Sequence, residues 1–158
     1  MGKDARKVVE LLNAARAGEL TAILQYMAQH YELENQDYGK LAKFLKKTAI
    51  TEMKHAELLA DRILFLGGVP TSKPDAEAKK GQSVSDMLAT DIALEADAIG
   101  KYNASAKACA EALDHVSKDI FEKLLGDENG HLDEFQNLKE HADQLGAAWL
   151  AQQTGAGE

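Results

Sequence analysis

Cysteine is nearly absent from this chain: Cys109 is the only one in 158 residues. A lone thiol excludes an internal disulfide, a zinc knuckle and a thiolate iron site of the rubredoxin type. Set at helical spacing among alanines, Cys109 reads as a small core residue. Proline is scarce too, with Pro70 and Pro74 in one short stretch, so long uninterrupted helices are open to the residues on either side. No run approaches the ~20 apolar residues that span a bilayer. The first residues lack an apolar signal core, and the cytoplasm is the expected compartment. Positive charge is in deficit: 18 Lys and Arg stand against 26 Asp and Glu, a net charge of −8. That balance argues against nucleic acid, whose phosphates call for a basic face. Lys43, Lys46 and Lys47 are the nearest thing to a basic run and read as a solvated helix face.

What is present is helical periodicity. With 45% apolar and 28% charged residues, the chain is expected to fold as one all-α domain over residues 1–158. Apolar spacing predicts helices over about 3–34, 38–66, 83–113 and 116–145, with a short fifth at 147–153. Gly67 and Gly68 stop the second helix, and Ser83 and Asp114 are N-cap residues for the third and fourth. Short turns near 35–37 and 114 make two antiparallel hairpins. The ~16-residue middle segment is long enough to run the length of a bundle, which gives the single long crossover of ferritin-like four-helix folds.

Six residues then repeat at one offset. Glu19, Glu52 and His55 recur as Glu95, Glu128 and His131, each 76 positions later. Each half holds a lone Glu and, 33 residues on, a Glu-x-x-His. All six fall on the apolar stripes at spacings of three and four, so they point inward. Counted from the turns, they reach one level near mid-bundle. A Glu from each of two helices and a Glu-x-x-His from each of the other two is the pattern of a two-metal helical core.

Burying four carboxylates together without compensation costs several kcal/mol per ion, against a total stability of about 5–15 kcal/mol. The stripes offer no Lys or Arg at that level. Two divalent ions balance the four charges, and oxygen-rich ligation with one imidazole per metal suits iron or manganese better than a closed zinc site. His30, His115 and His141 lack the Glu three positions before them and are expected at the surface or as helix-end caps. Tyr26, seven residues after Glu19 on the same face, is expected either to hydrogen-bond a ligand carboxylate or to pack in the core with a polar tip.

The segments Glu19-Leu20-Thr21-Ala22-Ile23 with Tyr26, Glu52-Met53-Lys54-His55-Ala56-Glu57, Asp91-Ile92-Ala93-Leu94-Glu95 and Asp127-Glu128-Asn129-Gly130-His131 make the chain resemble the bacterioferritins over nearly its whole length. The resemblance implies a 24-subunit shell built from dimers. In it Fe(II) is oxidised by dioxygen or hydrogen peroxide at two iron ions per subunit and stored as a ferric mineral. It implies that Glu52 and Glu128 bridge the irons, with Glu19, Glu95, His55 and His131 as terminal ligands. It also implies that Met53 and its two-fold mate ligate a haem, b-type or related, shared between two subunits. Ala49, Ile50 and Ala56 flank Met53, and Leu20, Ile23, Leu24 and Met27 offer apolar surface nearby. A ferredoxin-type reductant for iron release follows from the same likeness. Some members carry an extra iron site at positions matching Lys47 and Thr51, which is expected to be missing here. Aromatics that some place at positions matching Leu59 and Glu134 are also absent, leaving Tyr26 as the expected nearby electron donor. The alternative is a rubrerythrin-like diiron peroxidase or another diiron oxidoreductase without storage, although the paired cysteines of a rubredoxin module are lacking.

Overall fold

A computed structural model describes residues 1–157. Five helices follow in order: α1 (Lys3–Asn35), α2 (Gly39–Phe65), α3 (Val84–Glu111), α4 (His115–Leu145) and α5 (Ala147–Gln152). There is no strand among the described residues, and no helix is long and apolar enough to cross a membrane. Helix α1 packs along α2 and α3 along α4; α1 then meets α3, and α2 meets α4, closing a four-sided bundle.

The 76-residue register extends to the turns. Asp37 and Leu113 both take positive φ, 61° and 59°. The amide after each reaches back to close the preceding helix, Tyr38 N to Leu33 O and Asp114 N to Cys109 O, both at 2.9 Å. Aspartate tolerates that backbone; Leu113, exposed to solvent, has no such excuse and is held there by the turn. Ser83 caps α3 by accepting from Asp86 N. Asp114 caps α4 by accepting from Ser117 N and pairs with Arg62 at 2.7 Å, tying the end of α2 to the start of α4.

The crossover is stapled along α1 by side chains bonded to its backbone. Asn13 accepts from Thr71 N, Thr21 from Asp75 N and Gln25 from Lys79 N, while Arg16 donates to the Thr71 carbonyl. These bonds satisfy polar groups that a buried loop would otherwise leave unpaired, and they fix the loop parallel to α1.

Apolar packing forms two plugs rather than one continuous core. Tyr26, Leu33, Leu45, Leu88, Phe135 and Trp149 fill one end; Val8, Leu12, Ile63, Tyr102, Phe121 and Leu124 fill the other. Between them, near mid-bundle, lies a layer of buried carboxyls, and the plugs keep water from reaching it along the bundle axis.

Candidate metal centre

The structure brings all six repeated side chains together. Glu19, Glu52, Glu95, Glu128 and His55 are buried, and His131 is nearly so. They divide into two groups: Glu19, Glu52, His55 and Glu128, and Glu52, Glu95, Glu128 and His131. Within each group, one potential ligand atom per residue lies within 4.8 Å of all the others. Glu52 and Glu128 belong to both.

His55 Nδ1 stands 2.8 Å from Glu52 Oε2 and 2.9 Å from Glu128 Oε1. His131 Nδ1 stands 2.9 Å from Glu52 Oε1 and 3.5 Å from Glu95 Oε1. The rings stack with centroids 6.2 Å apart. The His131–Glu52 contact is a hydrogen bond, but Glu52 Oε2, His55 Nδ1, Glu95 Oε2 and Glu128 Oε1 are buried and none has a hydrogen-bond partner. Natively buried polar atoms rarely stay unpaired. Four such atoms in one layer, near but not bonded to one another, form a donor set that a pair of cations would satisfy.

The electrostatics agree. Burial, with the Glu52 charge, pushes the Glu19 carboxyl up to about 8. Burial pushes Glu128 up to about 12, only partly offset by His55. Glu52 goes the other way: burial opposes its charge, but His131, His55 and the Glu19 carboxyl outweigh it and hold it below the usual carboxylate range. Burial likewise opposes charge on the imidazoles. The Glu128, Glu19 and Glu52 carboxyls still push His55 well above its ordinary value, and Glu52 and Glu95 push His131 up to about 10. Without metal, burial on the glutamates and the surrounding carboxyls on the imidazoles favour the protonated forms of Glu19, Glu128, His55 and His131.

Two divalent cations seated among these six side chains should displace protons from the layer, because ligation needs the deprotonated forms of groups whose protonated forms are favoured. Anaerobic Co(II) titration at pH 7 with an indicator dye measures this release; a value near zero contradicts the ligand set. Protons and cations compete for groups that are all shifted upward, so apparent affinity already weakens as pH falls through the alkaline range and does so most steeply below about 8, where Glu19 also gains its proton.

Around the layer, Tyr26 Oη donates to Glu95 Oε1 at 2.6 Å. Tyr102 Oη donates to Glu19 Oε1, the equivalent bond on the other side. Tyr26 alone is expected beside the layer from the sequence, and the structure adds Tyr102. Its 76-residue offset from Tyr26 was the available signal. His55 turns Nε2 to Asp127 Oδ2 at 2.8 Å, which orients the ring so that Nδ1 faces the layer. The repeat could not reveal Asp127, because its counterpart at 76 positions back is Thr51. Asp91 is also buried, one turn before Glu95, and accepts from Gln29 at 2.8 Å.

His30 is a further correction. It was expected at the surface or as a cap, yet it is buried between α1 and α2, with Nδ1 2.7 Å from the Ala42 carbonyl. Position 30 lies four after Tyr26 on the inward face, and the N-terminal turns of α2 cover it. His115 and His141 are exposed. Met53 is half-exposed on the outer side of α2, with Ile50 and Leu24 also exposed. Ala49 and Ala56, expected to flank Met53 on that surface, are buried within the bundle instead.

Comparison with known proteins follows the same lines. The ferritin-like domain family matches residues 9–145. The chain is 43% identical to a bacterioferritin of Desulfovibrio desulfuricans over 94% of its length and 83% of the relative's. It is 42% identical to that of Rhodobacter capsulatus, over 94% and 92%. Among solved structures, a D. desulfuricans bacterioferritin described with its diiron site in different catalytic states superposes with a TM-score of 0.95. It is 41% identical and covers 99% of this chain and 93% of its own. The R. capsulatus structure, described with a metal-free dinuclear site and a haem iron, gives a TM-score of 0.91 at 39% identity, covering 95% and 94%.

Proposed function

The chain belongs to the bacterioferritins, within the ferritin-like family, and from that premise we propose that it is an iron-storing ferroxidase assembled as a 24-subunit shell. The observation that carries the reading is the sharing of Glu52 and Glu128 between both ligand groups. Two carboxylates common to two sites are what bridging requires, and they hold two cations at the ~3.5–4 Å spacing of two-metal chemistry.

Iron is the substrate. Two Fe(II) ions replace the protons of the layer, with Glu19 and His55 terminal on one and Glu95 and His131 terminal on the other. Each gives up one electron. Dioxygen takes both electrons with two protons and leaves as hydrogen peroxide; peroxide as oxidant takes two electrons and two protons and leaves as water. Hard carboxylate oxygens favour the ferric product. Tyr26 and Tyr102 hold Glu95 and Glu19 by one bond each, so the terminal ligands are positioned before iron arrives. The ferric ions then pass to a mineral in the shell's cavity, and a ferredoxin-type donor reduces it for release.

Haem fits the outer face of α2. Met53 presents a thioether to solvent, and exposed Ile50 and Leu24 with partly buried Ile23 and Met27 supply apolar surface. Met53 and its two-fold mate would hold the haem iron, which supplies one-electron transfer to and from the interior.

Anaerobically purified protein given Fe(II) and then air should show rapid ferric absorbance. It should also retain far more iron than two ions per chain in a particle of 24 chains of 17.1 kDa, about 410 kDa. Oxidation no faster than in buffer overturns the ferroxidase; a monomer or dimer as the only species overturns the shell.

A further inference from the structure

A cavity of about 220 Å³ lies between α1, α3 and the crossover and reaches Glu19, Glu95 and Glu128. Its walls are largely small and apolar, with Ala14, Ala22, Leu94 and Ala98 among them. At its inner end the phenols of Tyr26 and Tyr102 have already given their hydrogens to Glu95 and Glu19. At its mouth Lys101 pairs with Asp97 at 2.7 Å, with Asp75 on the same rim. A hydrated divalent cation is carried inward by exchanging waters for ligand oxygens. The rim offers it two carboxylates and one ammonium, but the passage beyond is walled mainly by alkyl groups until the glutamates are reached. A small neutral molecule meets no such obstacle, since moving an ion through apolar surroundings costs far more than moving an uncharged one.

The other side of the layer, between α2 and α4, has the opposite character. There the Asp127 carboxylate, half-exposed, bonds His55, and the His131 side chain keeps 13% of its surface open. A cation arriving there finds an oxygen and then an imidazole before the buried glutamates.

We propose that the α1–α3 cavity is the route of the uncharged oxidant, dioxygen or hydrogen peroxide, to the metal layer and does not carry the iron. The proposal rests on the ferroxidase reading above and adds a separate path for its second substrate. Ala98→Leu and Ala14→Leu narrow the passage without touching any of the six ligands or the two phenols; Ala14, being exposed, tolerates the change if Ala98 does not. Protein preloaded with Fe(II) and mixed with dissolved dioxygen should be oxidised about tenfold more slowly in a narrowed variant, with Co(II) stoichiometry and affinity unchanged. Wild-type crystals pressurised with xenon should hold a xenon atom beside Ala98, and Ala98→Leu crystals none. Unchanged oxidation rates in both variants, a loss of Co(II) binding that parallels the loss of rate, or no xenon in the wild-type cavity would overturn the route. Wild-type protein that binds no Co(II) would instead overturn the ferroxidase reading, and the route with it.

Discussion

Replacing Glu52 and Glu128 together by alanine should abolish rapid Fe(II) oxidation, a loss of about 10³-fold or more. The size of the effect follows from their shared position. Losing Glu19 or Glu95 strips one group of one member, whereas losing Glu52 and Glu128 removes two members from both groups at once. The remaining carboxylates cannot bring two cations together. Helical content should survive, because neither side chain caps a helix and the two apolar plugs lie outside the layer. Stopped-flow absorbance of the ferric product, far-ultraviolet circular dichroism and Co(II) titration measure the three consequences. The wild-type rate persisting in a folded double variant would sink the assignment. The single variants are informative too. Glu52 is the carboxylate held low by both imidazoles and by the Glu19 carboxyl, so Glu52→Gln removes the charge on which both histidines lean and should weaken Co(II) binding even though its shape is kept.

The meeting of the six repeated side chains in one layer was legible because the bundle is two hairpins in register. Each inward position is fixed by helical spacing, and its height by its distance from a turn, so a 76-residue offset in sequence becomes a near two-fold relation in space. The same relation made Tyr102 readable in principle. Its ring packs in the core, 5.7 Å from Phe121, while its hydroxyl reaches Glu19. A buried tyrosine is apolar along the ring and polar at the tip, and spacing reports only the ring. His30 was misread for a related reason: proximity to the end of α1 suggested exposure, but α2 begins close enough to cover that last turn. Asp127 was hidden by geometry. It sits ~100° around the helix from Glu128, and whether such a position meets a neighbouring histidine depends on how far apart α2 and α4 stand, which no periodicity encodes. The two-sided character of the layer, alkyl toward α1 and α3 and carboxylate-imidazole toward α2 and α4, likewise emerges only once the helices are placed.

Met53→Ala should remove haem binding completely while leaving Fe(II) oxidation within about twofold of the wild type. The separation of the two effects comes from one residue of helix. Glu52 is buried in the metal layer; Met53, the next residue, is turned ~100° away and half-exposed. A thioether on the outer face cannot reach the layer, and the layer's carboxylates cannot reach a haem laid against Ile50 and Leu24. Protein reconstituted with haem and freed of excess should show a Soret band with one haem per two chains, since each chain offers one thioether and an axially ligated iron takes two. Met53→Leu keeps the apolar surface but not the sulfur, so it distinguishes ligation from simple adsorption. A Soret band undiminished in Met53→Leu shows haem held by apolar contact alone, and no band in the wild type removes haem from this protein. Loss of Fe(II) oxidation alongside the band in Met53→Ala would mean that the outer face and the buried layer are coupled, contrary to their placement on different faces of α2.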